Sequence, residues 1–254
     1  MTYCVGMLVD EGLAMIADTR TNAGVDNVSS YKKLHLVDRP GDRVLAVATA
    51  GNLSLTQTAL TLVQEGIELP SEDHAETLET AGSMFRCAQL LGHALREVRK
   101  EMAPSLQADS LNASASMLLG GQIEGGEMKL YLIYSQGNFI ECGRDTPYLQ
   151  IGELKYGKPI LDRILQPQTT LDTAALCALV SMDSTMRSNL TVGPPIEIMM
   201  CQTDSFVLQH NRFDEDDEYL RELKRSWDAR IAEAFLQLPA VTWPLQMNDG
   251  YVQN

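Results

Sequence analysis

A chain of 254 residues with 44% apolar residues is long enough for one large domain, and its formal net charge of −14 excludes several functions. The 20 lysines and arginines are spread thinly, so the clustered positive charge that nucleic-acid binding requires is missing and we expect no nucleic-acid partner. No apolar run approaches the roughly 18 residues that cross a bilayer, so we expect no membrane partner and a cytoplasmic location.

The cysteines and histidines indicate neither a metal site nor a disulfide framework. The five cysteines are an odd number and include no C-x-x-C pair, and the four histidines are isolated from one another. Zinc ligands and disulfide scaffolds both require closer or more regular spacing. We therefore predict reduced, mostly buried thiols, no metal and no organic cofactor.

The first fifty residues predict four strands. Two apolar runs, 3–9 and 13–18, flank Asp10-Glu11-Gly12, which is a break of hairpin size. A polar loop at 22–30 precedes two further strands at 33–37 and 43–50. The last of these is apolar almost throughout, which favours burial on both faces.

Two adjacent helices are predicted next, followed by more strands. The stretch 53–65 has a helical composition, and apolar residues three and four apart over 77–102 define one face of a longer helix that Pro104 closes. A second antiparallel sheet is then predicted to begin, with strands at 113–121, 128–134 and 138–142.

The last third of the chain returns to helices. The pattern predicts helices at 160–165, 172–187 and 214–236, and a hairpin of strands at 196–201 and 205–209. The segment 240–254 is more apolar than a free tail, so we expect it to dock on its own domain or on a neighbour. We assign 1–212 to the main fold and 213–254 to a C-terminal helix and docking tail of the same domain.

The order of these elements predicts the fold class. Runs of antiparallel strands alternate with pairs of helices, which suits two stacked sheets with helices on both outer faces. The sequence therefore predicts an α+β protein, a four-layer αββα sandwich.

The second residue of the chain suggests nucleophilic chemistry. Removal of Met1 leaves Thr2 with a hydroxyl and a free α-amine on one residue. A threonine hydroxyl needs a base, and the N-terminal amine, with an ordinary pKa of about 7.7 to 8.0, can serve as that base near neutral pH. Thr2 is therefore the candidate nucleophile.

Three more residues could complete such a site. Lys33 is a cation that would favour a deprotonated hydroxyl, and Asp18 is a carboxylate that would hold the lysine in place. Gly51 follows a predicted strand and precedes a helix, where a backbone N–H can stabilise an oxyanion. Neighbouring strands could bring all three beside Thr2.

The same residues carry a family resemblance. The chain resembles proteasome β-type subunits in an ordered series of motifs over its N-terminal third, namely Thr2-x-x-Val5-Gly6, Gly12, Ala17-Asp18-Thr19-Arg20, Lys33-Leu34-His35 and Ala50-Gly51. The element order agrees with that family to about residue 210. Within it, the absence of a long propeptide and a longer C-terminal extension most resemble Anbu, the bacterial proteasome-like homologue.

The resemblance implies the N-terminal nucleophile hydrolase fold, peptide-bond hydrolysis and self-assembly into a ring or an open helical stack. It also implies catalytic roles for Thr2, Asp18, Lys33 and Gly51, with Arg20 in support. Where the family has Arg-Asp-x-x-Ser-Gly, this chain has Arg187-Ser188-Asn189-Leu190-Thr191-Val192-Gly193, so Ser188 stands at the aspartate position. Ile151-Gly152-Glu153 replaces a Ser-Gly-Ser segment. Ser188, Thr191 or Glu153 could compensate in part.

We therefore expect a threonine peptidase that acts on peptides or proteins through an acyl-enzyme on Thr2. Two alternatives stay open. One is a self-assembling scaffold or binding protein with little turnover, which a retained Met1 and the Ser188 replacement would favour. The other is an amidohydrolase of small molecules. The residues specify no unfoldase partner.

Overall fold

The computed structural model describes residues 1–22, 28–70 and 73–243. The chain separates into two compact units, Met1–Asp217 and Glu218–Asn254. The sequence analysis instead predicts one domain whose main fold spans 1–212 and whose C-terminal helix and tail span 213–254, and this assignment stays a prediction. None of the helices within the described ranges is long and apolar enough to cross a membrane.

The strands of the described residues, in chain order, are β1 (Tyr3–Val9), β2 (Gly12–Asp18), β3 (Arg20–Asn22), β4 (Val28–Ser30), β5 (Leu34–Arg39), β6 (Arg43–Gly51), β7 (Ala115–Ile123), β8 (Lys129–Ile133), β9 (Phe139–Glu141), β10 (Tyr148–Gly152), β11 (Ile196–Gln202) and β12 (Gln209–Phe213). The helices are α1 (Leu53–Glu65), α2 (Met84–Ala108), α3 (Lys158–Ile164), α4 (Leu171–Ser188) and α5 (Glu218–Leu236).

Two antiparallel five-stranded sheets form the centre of the first unit. One has the order β10-β1-β2-β11-β12 and the other the order β5-β6-β7-β8-β9, while β3 and β4 pair as a separate ribbon. Apolar side chains of both sheets fill the space between them, among them those of Leu13, Met15, Ala46, Leu118 and Met199. The sheets are thus stacked face to face, as the sequence predicts.

Helices cover the outer face of each sheet. The helices α1 and α2 pack on the β5–β9 sheet through a second apolar cluster that includes Leu55, Leu91, Leu95 and Met117. The helix α4 packs on β1 and β2, with α3 beside it. These contacts confirm the predicted α+β class and the four-layer αββα arrangement.

The assignment of strands to sheets was wrong in one respect. No new sheet begins at residue 113, because β7 pairs along the whole length of β6, from Arg43 opposite Ile123 to Gly51 opposite Ala115. The hairpin β1–β2 lies in the other sheet, where it pairs with β10 and β11. The sequence analysis missed β10, as well as β3 and β4. Sheet membership depends on pairing between distant segments, which a local pattern does not encode.

The bounds of α2 also differ from the prediction, at both ends. The helix begins at Met84 because the Ser83 side chain accepts the Arg86 N–H and caps it, whereas 77–81 form a turn. Pro104 does not close the helix but lies inside it. A proline removes a single backbone donor and crowds one turn, and here the helix continues for one more turn, to Ala108.

Two differences concern the last third of the chain, and two predicted segments lie partly outside the described residues. The final hairpin uses β12 rather than 205–209, because Ser205 N–H closes a turn onto Gln202 O. The acidic residues 214–217 precede α5, which begins at Glu218. Within the predicted loop 22–30, residues 23–27 lie outside the described ones, as do residues 244–254 of the predicted docking tail. Trp243, at the end of the described part, is 82% exposed.

Candidate active site

Thr2 lies directly before β1, which pairs with β10 on one side and with β2 on the other. Tyr3 lies opposite Gly152 of β10, and Cys4 lies opposite Ala17 of β2, so the flanking strand ends meet beside the start of β1. The Thr2 carbonyl accepts the Glu153 N–H at 2.7 Å. Gly152 has a φ of +85°, and a Cβ at this position would lie 2.0 Å from the Thr2 carbonyl oxygen. Only glycine fits there, and Thr2 itself is half-buried.

Asp18 occupies the end of β2 and is completely buried. Its Oδ1 accepts hydrogen bonds from Lys33 Nζ and from the Tyr3 N–H, both at 3.0 Å, and its Oδ2 accepts the Gly193 N–H at 3.3 Å. Burial raises the pKa of the Asp18 carboxyl, while the Lys33 charge and the two N–H groups oppose that shift. The carboxylate is therefore fixed by three donors from three parts of the chain.

Lys33 lies just before β5 and is 4% exposed. Its Nζ donates to Asp18 and to the Arg20 carbonyl, and its own carbonyl accepts the Thr49 N–H at 3.0 Å. The lysine is thus tied both to the end of β2 and to β6. The predicted pairing of Asp18 with Lys33 is present as a buried ion pair.

Gly51 ends β6, and the direction of its N–H can be deduced from the hydrogen bond that Thr49 makes. Because N–H groups point alternately to opposite edges of a strand, the Gly51 N–H points to the same edge as that of Thr49, which is the edge that Lys33 occupies. Gly51 has a φ of +103°, and a Cβ would lie 2.4 Å from the Ser114 carbonyl oxygen. The next residue, Asn52, caps α1. The N–H therefore lies at the positive end of a helix dipole.

The α-amine of the chain lies close to the same charges. The pKa of the Met1 amine is lowered from its ordinary value of 8.0, first by burial and then by the Lys33 charge. The carboxylates of Asp18 and Glu153 act in the opposite direction. The charges of one cation and two anions therefore shift the pKa of the amine at the start of the chain. An amine in these surroundings retains a larger neutral fraction at pH 7 than a solvated one.

The loop after α4 is held in place by Arg20 of β3 and by its own Thr191. The Arg20 guanidinium covers Gly193, where a Cβ would lie 2.4 Å from Arg20 Cζ, and donates to the Leu190 carbonyl at 3.0 Å. Thr191 donates through its N–H and its hydroxyl to Asn189 Oδ1, at 3.1 and 2.6 Å. Ser188, by contrast, is exposed at the last residue of α4.

Three residues that the sequence reasoning did not single out belong to the site. Gly193 donates to Asp18, and the Asn189 side chain joins Thr191 to Glu153, with Asn189 Nδ2 3.1 Å from Glu153 Oε2. Tyr3 donates its N–H to Asp18 and its hydroxyl to Ser181 of α4, and the same hydroxyl accepts Gln150 Nε2 of β10. An Asn side chain often accepts the backbone N–H two residues later in a turn, and this signal could have identified Asn189.

The chain matches the family of proteasome subunits over residues 2–201. Among solved structures, it is similar to Anbu (ancestral beta-subunit) from Yersinia bercovieri, with 46% identity and a TM-score of 0.84, over 95% of this chain and 100% of that one. It is also similar to the Anbu (Gly-1) mutant from Hyphomicrobium sp. strain MC1, with 42% identity, a TM-score of 0.87, and coverage of 96% and 100%.

A third similar structure is the helical assembly of the Anbu complex from Pseudomonas aeruginosa, with 43% identity and a TM-score of 0.85, over 94% of this chain and 98% of that one. Among the curated proteins compared with the chain, none matches it. The similarity extends over almost the whole length of both partners in each structural match. The chain therefore belongs to the proteasome subunit family, as a relative of the Anbu proteins.

Proposed function

We propose that this protein is a threonine peptidase that cleaves peptide bonds through an acyl-enzyme on Thr2 after Met1 is removed. The observation that carries the proposal is the buried Lys33–Asp18 pair, 3.0 Å apart, at the strand ends that flank Thr2. A charge pair with side-chain exposures of 5% and 0% is expensive to bury, and a cation at these strand ends is suited to favour a deprotonated Thr2 hydroxyl.

The first chemical step uses both groups of processed Thr2. The α-amine takes the proton of Oγ1, directly or through a water, while Oγ1 attacks the carbonyl carbon of the scissile bond. Burial and the Lys33 charge lower the pKa of the Met1 amine, one residue before Thr2, which supports a neutral amine at this end of the chain near pH 7. Lys33 favours the negative oxygen as it develops, and Asp18 holds Lys33 in place.

The tetrahedral intermediate then carries a negative oxygen that needs a donor. The Gly51 N–H is suited to this role because it ends β6 on the Lys33 side, at the N-terminus of α1. A single donor of this kind contributes about 10²- to 10³-fold in rate. Collapse of the intermediate breaks the C–N bond, and the Thr2 ammonium returns its proton to the leaving amine. Water then hydrolyses the ester on Oγ1 and regenerates the threonine.

We further propose that the protein is cytoplasmic and acts as a homo-oligomer on peptides or proteins. The structure from Pseudomonas aeruginosa is a helical assembly, and the chain resembles it over 94% of its own length. An interface between identical subunits closes into a ring or continues as an open helical stack, depending on the rotation that it imposes. Size-exclusion chromatography with light scattering measures which of these forms.

A second candidate is an assembly or binding protein on the same fold with little turnover. The position of Ser188 favours it, because a neutral and exposed residue at the end of α4 stands where the family has an aspartate. Such a protein would keep the Lys33–Asp18 pair, but its Thr2 hydroxyl would not be activated as a nucleophile.

The test is the intact mass of the purified protein with and without an epoxyketone, which reacts with an N-terminal threonine. We expect a mass without Met1 and one adduct per chain. The adduct should disappear in Thr2→Ala and persist in Thr61→Ala, which changes an exposed threonine of α1. A retained Met1, or a free Thr2 that forms no adduct, would instead support the assembly protein.

A further inference from the structure

Glu153 is a buried carboxylate beside Thr2 that the mechanism above does not use. It follows directly after β10 and is 8% exposed. Its backbone N–H donates to the Thr2 carbonyl at 2.7 Å, so the two residues are joined at the backbone. The position of Glu153 relative to the start of the chain is therefore fixed, whatever its side chain does.

The side chain has donors, but they are neutral. Oε1 accepts the Lys155 backbone N–H at 3.2 Å, and Oε2 accepts the Asn189 amide at 3.1 Å. An ionised carboxylate can accept about four hydrogen bonds, so these two leave half of its capacity unused. A buried negative charge that is held by neutral donors gains most from a nearby cation.

The cation that the site supplies is the α-ammonium of the chain. The Glu153 charge acts to raise the pKa of the Met1 amine, although burial and Lys33 lower it overall, so the carboxylate stabilises a protonated amine one residue before Thr2. Asn189 is itself held by Thr191, so the amide that donates to the Glu153 carboxylate is fixed in place. The loop after α4 and the end of β10 thus present one anion to the N-terminus.

We propose that Glu153 is a positioning residue that accepts a hydrogen bond from the α-ammonium of processed Thr2. This inference rests on the proposed function. When the amine takes the Oγ1 proton it becomes an ammonium, and Glu153 holds that ammonium until the proton passes to the leaving amine. The carboxylate gains and loses no proton itself. It orients the amine towards Oγ1 and keeps the transferred proton in place.

Two effects follow for Glu153→Gln, which keeps the size of the side chain and removes its charge. The amine loses a stabilising anion, so its pKa falls and the acidic limb of the pH–rate profile moves to lower pH. The amine also loses its orientation, so kcat falls by up to about 100-fold on the plateau. Glu153→Asp keeps the charge and should leave the amine pKa close to that of the unaltered chain.

The test measures the amine directly and does not depend on turnover. Thr2 is exposed by proteolytic removal of an N-terminal fusion, and the rate of acylation of its amine is followed against pH by mass spectrometry of the N-terminal peptide. The control is Glu65→Gln, which removes an exposed charge twelve residues along α1 from Leu53, about 18 Å away along the helix.

We expect the titration midpoint to fall in Glu153→Gln and to stay unchanged in Glu65→Gln. An unchanged midpoint in Glu153→Gln would overturn the inference, even if the epoxyketone adduct forms and the peptidase proposal stands. A lowered midpoint without any adduct in the unaltered chain would keep Glu153 as the partner of the amine and reject the peptidase. A purely structural role predicts a lower Tm with the midpoint unmoved.

Discussion

Replacement of Asp18 by Asn is the most direct perturbation of the site, because it keeps the shape of the side chain and removes its charge. The Lys33 ammonium then stays buried, 4% exposed, without its anion. The second oxygen of Asp18 becomes an NH₂ group that faces the Gly193 N–H, which was 3.3 Å from that oxygen. One charge thus loses its partner, and one backbone donor loses its acceptor.

The expected cost follows from these losses. Removal of one partner of a buried ion pair destabilises a protein by about 3 to 5 kcal/mol. For a domain of this size, 1 kcal/mol corresponds to roughly 2 to 4 °C in Tm, so we expect a decrease of roughly 6 to 20 °C. Thermal unfolding followed by circular dichroism measures this decrease. The Asp18→Asn variant should also form no epoxyketone adduct under conditions in which the unaltered chain forms one.

A matched control is the exposed pair of Arg144 with Asp10, which has the same separation of 3.0 Å but side-chain exposures of 73% and 45%. Asp10→Asn should cost only about 0 to 1 kcal/mol, because water screens exposed pairs. If Asp18→Asn unfolds at the temperature of the unaltered chain and still forms the adduct, the pair neither stabilises the fold nor activates Thr2, and the reasoning is refuted.

Three further predictions concern backbone space, the thiols and pH. Gly152→Ala should lower Tm and abolish the adduct, because its Cβ would meet the Thr2 carbonyl oxygen at 2.0 Å. Gly41→Ala, at a similar φ of +80° with open space around it, should cost only about 1 to 2 kcal/mol, and equal losses in both variants would contradict the steric argument. A disulfide exchange reagent at pH 8 should label the folded protein slowly and all five thiols after unfolding, because burial raises the pKa of Cys177 to about 11 and of Cys87 and Cys142 to about 12. In chains that retain Met1, the pH midpoint of acylation of the Met1 amine should lie below 8.0, because burial and Lys33 lower the pKa of this amine. The midpoint should rise towards 8.0 in urea, and a midpoint at or above 8.0 in the folded protein would contradict the prediction.

Elements that local chemistry determines could be predicted closely. The helix α1 has its predicted bounds because the Asn52 side chain accepts the first N–H groups, and Gly66, with a φ of +105°, ends it. The helix α4 is a second case, since the predicted bounds 172–187 lie within one residue of the observed ones and the Thr170 hydroxyl caps it by accepting the Thr173 N–H. In both helices the terminating residues lie next to the pattern that they terminate.

Elements that depend on distant pairing could not be predicted in this way. The strand β10 forms because Tyr148–Gly152 pairs with β1, about 145 residues earlier in the chain, and its own five residues have no clear alternation. The same limit applies to the site. Asp18 and Lys33 were proposed from residue type and family motifs, whereas Gly193 and Asn189 act through contacts that only the folded chain creates.

The Lys33–Asp18 pair also bears on why the fold retains charge in its interior. Buried ion pairs contribute little net stability, and well-packed apolar residues in their place are often neutral or stabilising by about 1 to 4 kcal/mol. Stability alone therefore gives no reason to place a lysine and an aspartate beside Thr2, where strand ends and the Gly193 loop converge. A chemical role does give a reason, because a cation near Oγ1 acts only if an anion keeps it there. A chain with apolar residues at both positions should then be as stable as the original, and inert towards the epoxyketone.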